Sequence, residues 1–196
     1  MMLNELRLVI RQIISERSKT RYPALRIFDF DDTLTFTGSK IYIRNKEHGG
    51  LKKTLTPAQY AVFDKAELSD EDDFDYSDFS KLIEPRRIDW TLNILRRVIE
   101  KHGVGGVAIL TARGHREPVE EFLEMEGFPP GIEIIALADS NPMKKAEWIS
   151  NKIENEGLRQ VDFFDDSEKN IVAARQLKKL HPNCRINVRH IKHQKD

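Results

Sequence analysis

Two aspartates stand two positions apart, directly after the first strongly apolar stretch of this chain. Leu25, Ile27 and Phe28 are typical of a buried strand, and Asp29 and Asp31 follow where that strand runs out. Residues i and i+2 of an extended chain point to the same side, so both carboxylates would face one spot. Carboxylates this close repel, and the pKa of one is raised unless a cation lies between them. A hard divalent ion such as Mg²⁺ prefers oxygen ligands, so the stretch is a candidate for metal binding or phosphoryl transfer.

The elements that must position these carboxylates are predicted from the alternation of apolar runs downstream. Strands are expected over 104–111, 132–137, 161–164 and 185–191, with amphipathic helices between them. Strands that alternate with helices of about 10 to 15 residues predict βαβ units, a mostly parallel sheet and right-handed crossovers. The expected fold class is therefore α/β.

In such a sheet, ligands bind beyond the carboxyl ends of the strands, so the residues at those ends are the candidates for chemistry. Taken singly they are weak signals, because an aspartate pair often caps a helix and a lysine pair is usually solvated. Together they offer carboxylates for a metal, and a hydroxyl and an ammonium suited to phosphate. They are Asp29 and Asp31 after the first strand, Thr111 and Arg113 after the second, Lys144 and Lys145 in the helix after the third, and Asp165, Asp166 and Asn170 after the fourth.

In this combination and order, the residues resemble the motifs of the haloacid dehalogenase-like (HAD) phosphohydrolase superfamily. The resemblance covers about residues 24–191, without residues 1–23 and an insertion at 45–88. The matches are Asp29-Phe30-Asp31-Asp32-Thr33 to the Asp-x-Asp-x-Thr motif, Thr111 to the strand-terminal Ser or Thr, Lys145 (or else Lys144) to the helix-borne Lys, and Asp165, Asp166 and Asn170 to the acidic motif.

The resemblance implies a three-layer Rossmann-like fold and an Mg²⁺-dependent phosphatase that forms an aspartyl-phosphate. Asp29 would be the nucleophile and Asp31 the general acid and base. Mg²⁺ would be held by Asp29, the backbone carbonyl of Asp31, and Asp165 or Asp166. Thr111 and Lys145 would neutralise the phosphoryl oxygens. Substrate binding is assigned to Thr33, Arg113, Lys144 and Asn170.

The substrate is expected to be a phosphorylated small molecule, such as a nucleotide, or a nucleic-acid end. Thr111-Ala112-Arg113 is similar to the Ser/Thr-Gly-Arg segment of polynucleotide phosphatase domains, which remove 3′-phosphates, although Ala112 replaces the Gly and Ser167 stands where an Arg is common. The segment 178–196 holds six Lys and Arg against one Asp and would either track a phosphate backbone or form a solvated basic tail. The alternative is a non-catalytic HAD-like protein-interaction module.

Two parts of the chain lie outside the motifs. Apolar residues at helical spacing predict an amphipathic helix over 3–16, within a segment 1–23 that either packs on the catalytic domain at 24–196 or binds a protein partner. Residues 36–88 are expected to form a flap and a small insertion in place of a large cap. Within them we predict a hairpin turning at Gly38-Ser39, a helix that begins at Pro57 after a Thr56 cap, and a solvated acidic loop over 67–79.

Composition limits the class of protein further. The 196 residues carry no net charge, since Lys+Arg and Asp+Glu both total 32, so binding to a polyanion would depend on a local patch. Cys184 is the only cysteine, which rules out an internal disulfide and favours a reducing, cytoplasmic location. No apolar run approaches the roughly 20 residues of a membrane span, so no membrane partner is expected.

Overall fold

The structure is a computed structural model and describes residues 23–193. The helix predicted over 3–16 lies outside the described residues, and so do residues 194–196.

The centre of the fold is a five-stranded sheet in which every pair of neighbouring strands is parallel. Its strand order is β10-β9-β1-β7-β8. The chain thus starts in the middle, runs out to one edge, and then returns to the other side of β1, so the order reverses between β1 and β9. In open α/β sheets, ligands bind at such a reversal. The strands are β1 (Ala24–Phe28), β7 (Val107–Thr111), β8 (Glu133–Ala136), β9 (Gln160–Asp165) and β10 (Arg185–His190).

Helices cover both faces of this sheet, so its central strands are apolar on both sides. Side chains alternate along β1 and β7: Ile27 and Leu110 belong to one core cluster, whereas Phe28 and Ile109 belong to the other. The first cluster is shared with α4 and α5, and the second with α2 and α3. The expected three-layer α/β arrangement is therefore observed. The helices are α1 (Pro57–Ala61), α2 (Asp89–His102), α3 (Glu117–Met125), α4 (Pro142–Glu156) and α5 (Glu168–Leu180).

The ends of α4 follow directly from its sequence. The side chain of Asn141 accepts a hydrogen bond from the amide of Met143, and Pro142 occupies the first helical position. The helix ends at Gly157, whose φ of 63° is in the left-handed region that glycine adopts without strain. These boundaries place the buried face of α4 against the sheet, with Lys145 at its N-terminal end.

The insertion between β1 and α2 is more regular than its sequence suggests. Its core is a separate antiparallel sheet of order β4-β3-β5, and a short pair joins β2 to β6. The predicted hairpin at Gly38-Ser39 is wrong, because the β3–β4 hairpin turns at 46–50 and the Gly38 amide instead bonds the carbonyl of Ile83. The strands are β2 (Thr35–Phe36), β3 (Ile41–Asn45), β4 (Leu51–Leu55), β5 (Asp72–Asp75) and β6 (Arg86–Arg87).

The expectation of an irregular acidic segment is also wrong, since strand pairing orders it. The acidic stretch 67–79 contributes β5 and a 3-10 turn at Ser77–Ser80 instead of a solvated loop. The predicted strand over 185–191 is confirmed as β10, and with the end of α5 it accounts for most of the basic stretch 178–193, so the alternative of a solvated tail is wrong for these residues. The helix after Thr56 is confirmed, with a complete capping box between Thr56 and Gln59. None of the described helices is long and apolar enough to cross a membrane.

Candidate active site

The tips of β1 and β9 bring the first two carboxylates together. Phe28 lies opposite Phe164 in the register of these strands, and their rings stack at 4.5 Å. The amide of Asp29 then donates to the carbonyl of Phe164 at 2.9 Å, so Asp29 and Asp165 leave the sheet side by side. Neighbouring strands are about 4.8 Å apart. Asp29 and Asp165 each follow the paired residues Phe28 and Phe164 directly, so their carboxylates lie close together.

Lys145 bridges these two carboxylates from the neighbouring helix. Its Nζ lies 2.6 Å from Oδ1 of Asp29 and 2.8 Å from Oδ2 of Asp165. The lysine side chain is only 4% exposed, so its charge depends on these partners. Both carboxylates raise the pKa of Lys145 against the opposing effect of burial. The ammonium is thus held in its charged form.

The other candidate lysine, Lys144, faces solvent. It precedes the buried stripe of α4, on which Lys145, Ile149 and Ile153 follow at four-residue intervals. Its Nζ contacts Glu147 at 3.4 Å, with both side chains at least half exposed. The helix geometry therefore selects Lys145, and the proposed substrate contact of Lys144 has no support in its position.

A third carboxylate completes the cluster. Oxygens of Asp29, Asp165 and Asp166 all lie within 4.8 Å of one another. Burial, opposed by Lys145, raises the pKa of Asp29 well above its ordinary value, and the neighbouring Asp165 and Asp166 raise it further. Burial and the charge of Asp165 raise the pKa of Asp166 to about 7. A single ammonium therefore leaves this cluster with an excess of negative charge.

That excess makes the cluster a fitting site for a divalent cation. Three oxygen ligands from two strand tips match the preference of Mg²⁺ for carboxylates and leave further positions for water or a phosphate. Asp165 is already used by protein donors, namely Lys145, the Asn170 amide at 3.0 Å and the backbone amide of Ser167 at 2.9 Å. Asp166 is partly exposed. The arrangement therefore favours Asp29 and Asp166 as direct metal ligands, and Asn170 orients Asp165 instead of reaching substrate.

Asp31 does not join the carboxylate cluster through its side chain. Arg113 grips it with two bonds, Nη2 to Oδ1 at 2.7 Å and Nε to Oδ2 at 2.8 Å. Thr37 also donates to Oδ1, at 3.0 Å. The expected contact of Arg113 with substrate is not what the structure has, because this guanidinium lies within the protein and binds protein acceptors.

The two threonines of the expected site differ in position. Thr111 ends β7 with 1% of its surface exposed, and its Oγ1 accepts from the amide of Arg113 at 3.1 Å. Thr33 is fully buried, and its Oγ1 has no hydrogen-bond partner among the described residues. Thr33 belongs to the turn after β1, where its carbonyl accepts from Oγ1 of Thr91.

Several residues near the site were missed by sequence reasoning. Asp32 has a φ of 54°, and its carbonyl lies 2.5 Å from Nε2 of His193. His190 Nε2 lies 2.8 Å from the backbone carbonyl of Asp166. Both histidines lie in the segment 178–196, for which the sequence indicated only an excess of Lys and Arg, and nothing in the spacing of Thr37 linked it to Asp31. The strand pairing of β10 with β9 is what brings this segment to the rim.

Two grooves on the described surface lie apart from the carboxylates. One lies at the C-terminal ends of α4 and α5, beside Cys184, and the other between the N-terminal halves of those helices, beside Met143 and Val172. Neither includes any of the three clustered carboxylates, so the candidate site is placed by its chemistry and not by the shape of the surface.

No protein-family model matches this chain, and neither does any curated protein or solved structure.

Proposed function

We propose that the protein is an Mg²⁺-dependent phosphomonoester hydrolase that works through an aspartyl-phosphate, as the resemblance to the HAD superfamily implies. The main support is the position of Asp29, a buried residue at a strand tip, bonded to Lys145 and clustered with Asp165 and Asp166. The ammonium of Lys145, and a cation that the carboxylates could bind, would supply positive charge for the transfer of a dianionic phosphoryl group.

In the first step, Asp29 attacks phosphorus. Lys145 holds Oδ1, so we assign the attack to Oδ2. A bond forms between Oδ2 and phosphorus while the bond from phosphorus to the leaving oxygen breaks, and its electron pair goes to that oxygen. Asp31, as a carboxylic acid, gives its proton to the leaving oxygen, and the alcohol departs.

In the second step, water hydrolyses the aspartyl-phosphate. Asp31, now a carboxylate, takes one proton from the water as the water oxygen bonds to phosphorus. The bond between phosphorus and Asp29 breaks, which restores the carboxylate of Asp29 and releases inorganic phosphate. Asp31 is then protonated again and ready for the next substrate.

The remaining groups balance charge. A bound Mg²⁺, held by Asp29, Asp166 and the backbone carbonyl of Asp31, would supply positive charge against the phosphoryl oxygens. An ammonium has three N–H donors. Two of those of Lys145 contact Asp29 and Asp165, and we assign the third to a phosphoryl oxygen. We assign Thr111 Oγ1 to a second phosphoryl oxygen.

Hydrolysis of p-nitrophenyl phosphate with Mg²⁺, and again with excess EDTA, tests this proposal. We expect turnover only with the metal, and none from Asp29→Asn, whose far-ultraviolet circular dichroism should match that of the wild type. Asp89→Asn, an exposed aspartate that pairs with Arg87 at the start of α2, is the matched control and should keep full activity. Full turnover by Asp29→Asn would refute the nucleophile.

A substrate panel then addresses what the protein acts on. It contains nucleotides, sugar phosphates, and oligonucleotides that carry a 3′- or a 5′-phosphate, assayed at low and high salt. A preference for 3′-phosphorylated oligonucleotides that weakens with salt would support action on nucleic-acid ends. No turnover of any member with Mg²⁺ would instead support the non-catalytic interaction module.

A further inference from the structure

Arg113 is a buried arginine whose nitrogens all donate to protein acceptors. Its side chain is 1% exposed, whereas that of Asp31 is 24% exposed. Besides the two bonds to Asp31, Nη1 donates to the carbonyls of Phe79 at 3.0 Å and Lys81 at 2.9 Å. Arg113 therefore contacts Asp31 from the protein side and leaves the outer side of that carboxylate open.

The guanidinium joins two parts of the chain that are far apart in sequence. On one side is the turn after β1, which carries Asp31. On the other is the end of the insertion, where the 3-10 turn Ser77–Ser80 and Lys81 supply the carbonyls. The rings of Phe30 and Phe79, one from each part, lie 5.2 Å from the guanidinium carbon. A planar cation packed by aromatic rings and bonded at each edge has one orientation available.

The same contacts fix the orientation of Asp31. A two-bond grip by arginine sets the plane of a carboxylate, which a single bond does not. Of the donors among the described residues, Thr37 Oγ1 and Arg113 Nη2 reach Oδ1, and only Arg113 Nε reaches Oδ2. Oδ2 thus keeps a lone pair for the transferred proton.

We propose that Arg113 is a positioning residue: it holds Asp31 in the orientation needed for proton transfer and ties that orientation to the 77–81 segment of the insertion. This inference rests on the proposed function for its catalytic part. It makes the insertion a component of the proton-transfer machinery.

Leaving-group dependence separates this role from substrate binding. An alkyl phosphate needs a proton on its leaving oxygen, whereas 2,4-dinitrophenyl phosphate does not. Arg113→Lys keeps the charge but loses the two-bond grip. We expect it to lower kcat/KM for glycerol phosphate by about 100-fold, in the range of general acid catalysis, and that for 2,4-dinitrophenyl phosphate by less than about 3-fold.

Two further variants complete the kinetic test. Asp31→Asn should show the same selective loss, and the double variant should lose little more than either single one, because both act through one proton transfer. Arg116→Lys is the matched control, since Arg116 lies on the surface and pairs with Glu120. Equal losses on both substrates from Arg113→Lys would overturn the positioning role and point to substrate binding.

Hydrogen exchange tests the tie to the insertion without any need for turnover. The amides of Phe79 and Lys81 bond to Tyr76 and Asp78 and so report on this turn. Asp31→Asn replaces one of the two oxygens that accept from Arg113 with an NH₂ group, which cannot accept. We therefore expect exchange at these two amides to quicken by about 10-fold or more, while amides of β9 keep their rates. Unchanged exchange would overturn the tie. If the wild type hydrolyses no phosphate, the proposed function fails, and the exchange result alone decides the tie.

Discussion

Replacing Lys145 by methionine isolates the electrostatic balance of the site from its chemistry. Methionine keeps most of the length and volume of the side chain but removes the ammonium that contacts Asp29 and Asp165. Those two aspartates would then be buried at the edge of the core with no cation between them. Their own side chains are 9% and 0% exposed, so water cannot replace the ammonium. We expect the variant to fold with a large loss of stability when no metal is present.

The distances from the ammonium of Lys145 to the two carboxylates determine the size of the stability loss. At 2.6 and 2.8 Å, and with an effective dielectric constant of about 20, each contact is worth about 6 kcal/mol of Coulomb energy. Burying the ammonium costs several kcal/mol, which offsets a large part of that sum, and breaking a buried ion pair by removing one partner typically costs about 3–5 kcal/mol. We therefore expect the free energy of unfolding at pH 7 to fall by about 3–5 kcal/mol.

The loss should shrink as the pH is lowered. Burial raises the pKa of Asp29 in the folded protein, and Lys145 opposes this, so removing the lysine raises that pKa further. The folded variant then binds a proton at a pH where the unfolded chain does not. Stability rises with falling pH wherever the folded state binds more protons. The difference between the variant and the wild type should therefore be smaller at pH 5 than at pH 7.

Urea unfolding in EDTA, followed by tryptophan fluorescence, measures both effects. Lys144→Met is the matched control, because Lys144 precedes Lys145 on the same helix and pairs only weakly with Glu147 at the surface. Its free energy of unfolding should change by less than about 0.5 kcal/mol. If the two variants unfold at the same urea concentration at pH 7, the ammonium of Lys145 does not neutralise the carboxylates.

Three further predictions concern the metal, pH and the turn after β1. Mg²⁺ at about 100 times its dissociation constant should stabilise the wild type by about 2.7 kcal/mol and so raise its melting temperature. Asp166→Asn should show little of this rise, and an equal rise in both proteins would exclude Asp166 as a ligand. Without metal, the pKa of about 7 for Asp166, above that in the unfolded chain, predicts that the urea midpoint rises as pH falls from 8 to 5. The rise should be smaller in Asp166→Asn, in which the raised pKa of Asp29 remains, and a midpoint that falls over this range in the wild type would contradict the shift. Thr91→Val should lower the free energy of unfolding by about 1–3 kcal/mol, because the buried carbonyl of Thr33 loses its donor. Thr91→Ser keeps a hydroxyl and should lower it less. Equal urea midpoints for the two variants would show that the hydrogen bond contributes little.

The sequence determined the strand–helix alternation and the residues at the strand ends. Apolar runs such as Val107–Thr111 are buried on both faces, which is what a parallel sheet between two helical layers requires. Asn141, Pro142 and Gly157 define α4 by local chemistry alone. Because parallel strands deliver their ends to one edge, the convergence of Asp29 with Asp165 and Asp166 followed from the order of elements, and the structure has it.

Tertiary structure decided which of several similar residues contribute to the site. Lys144 and Lys145 are adjacent in the sequence and were both candidates, and the rotation of α4 against the sheet buries Lys145 beside Asp29. The resemblance of Thr111-Ala112-Arg113 to the polynucleotide phosphatase segment assigned Arg113 to substrate. Its partners instead come from segments far away along the chain, at Asp31 and Lys81. Long-range contacts of this kind leave no periodicity in the sequence, since they depend on how the insertion packs and not on local propensity.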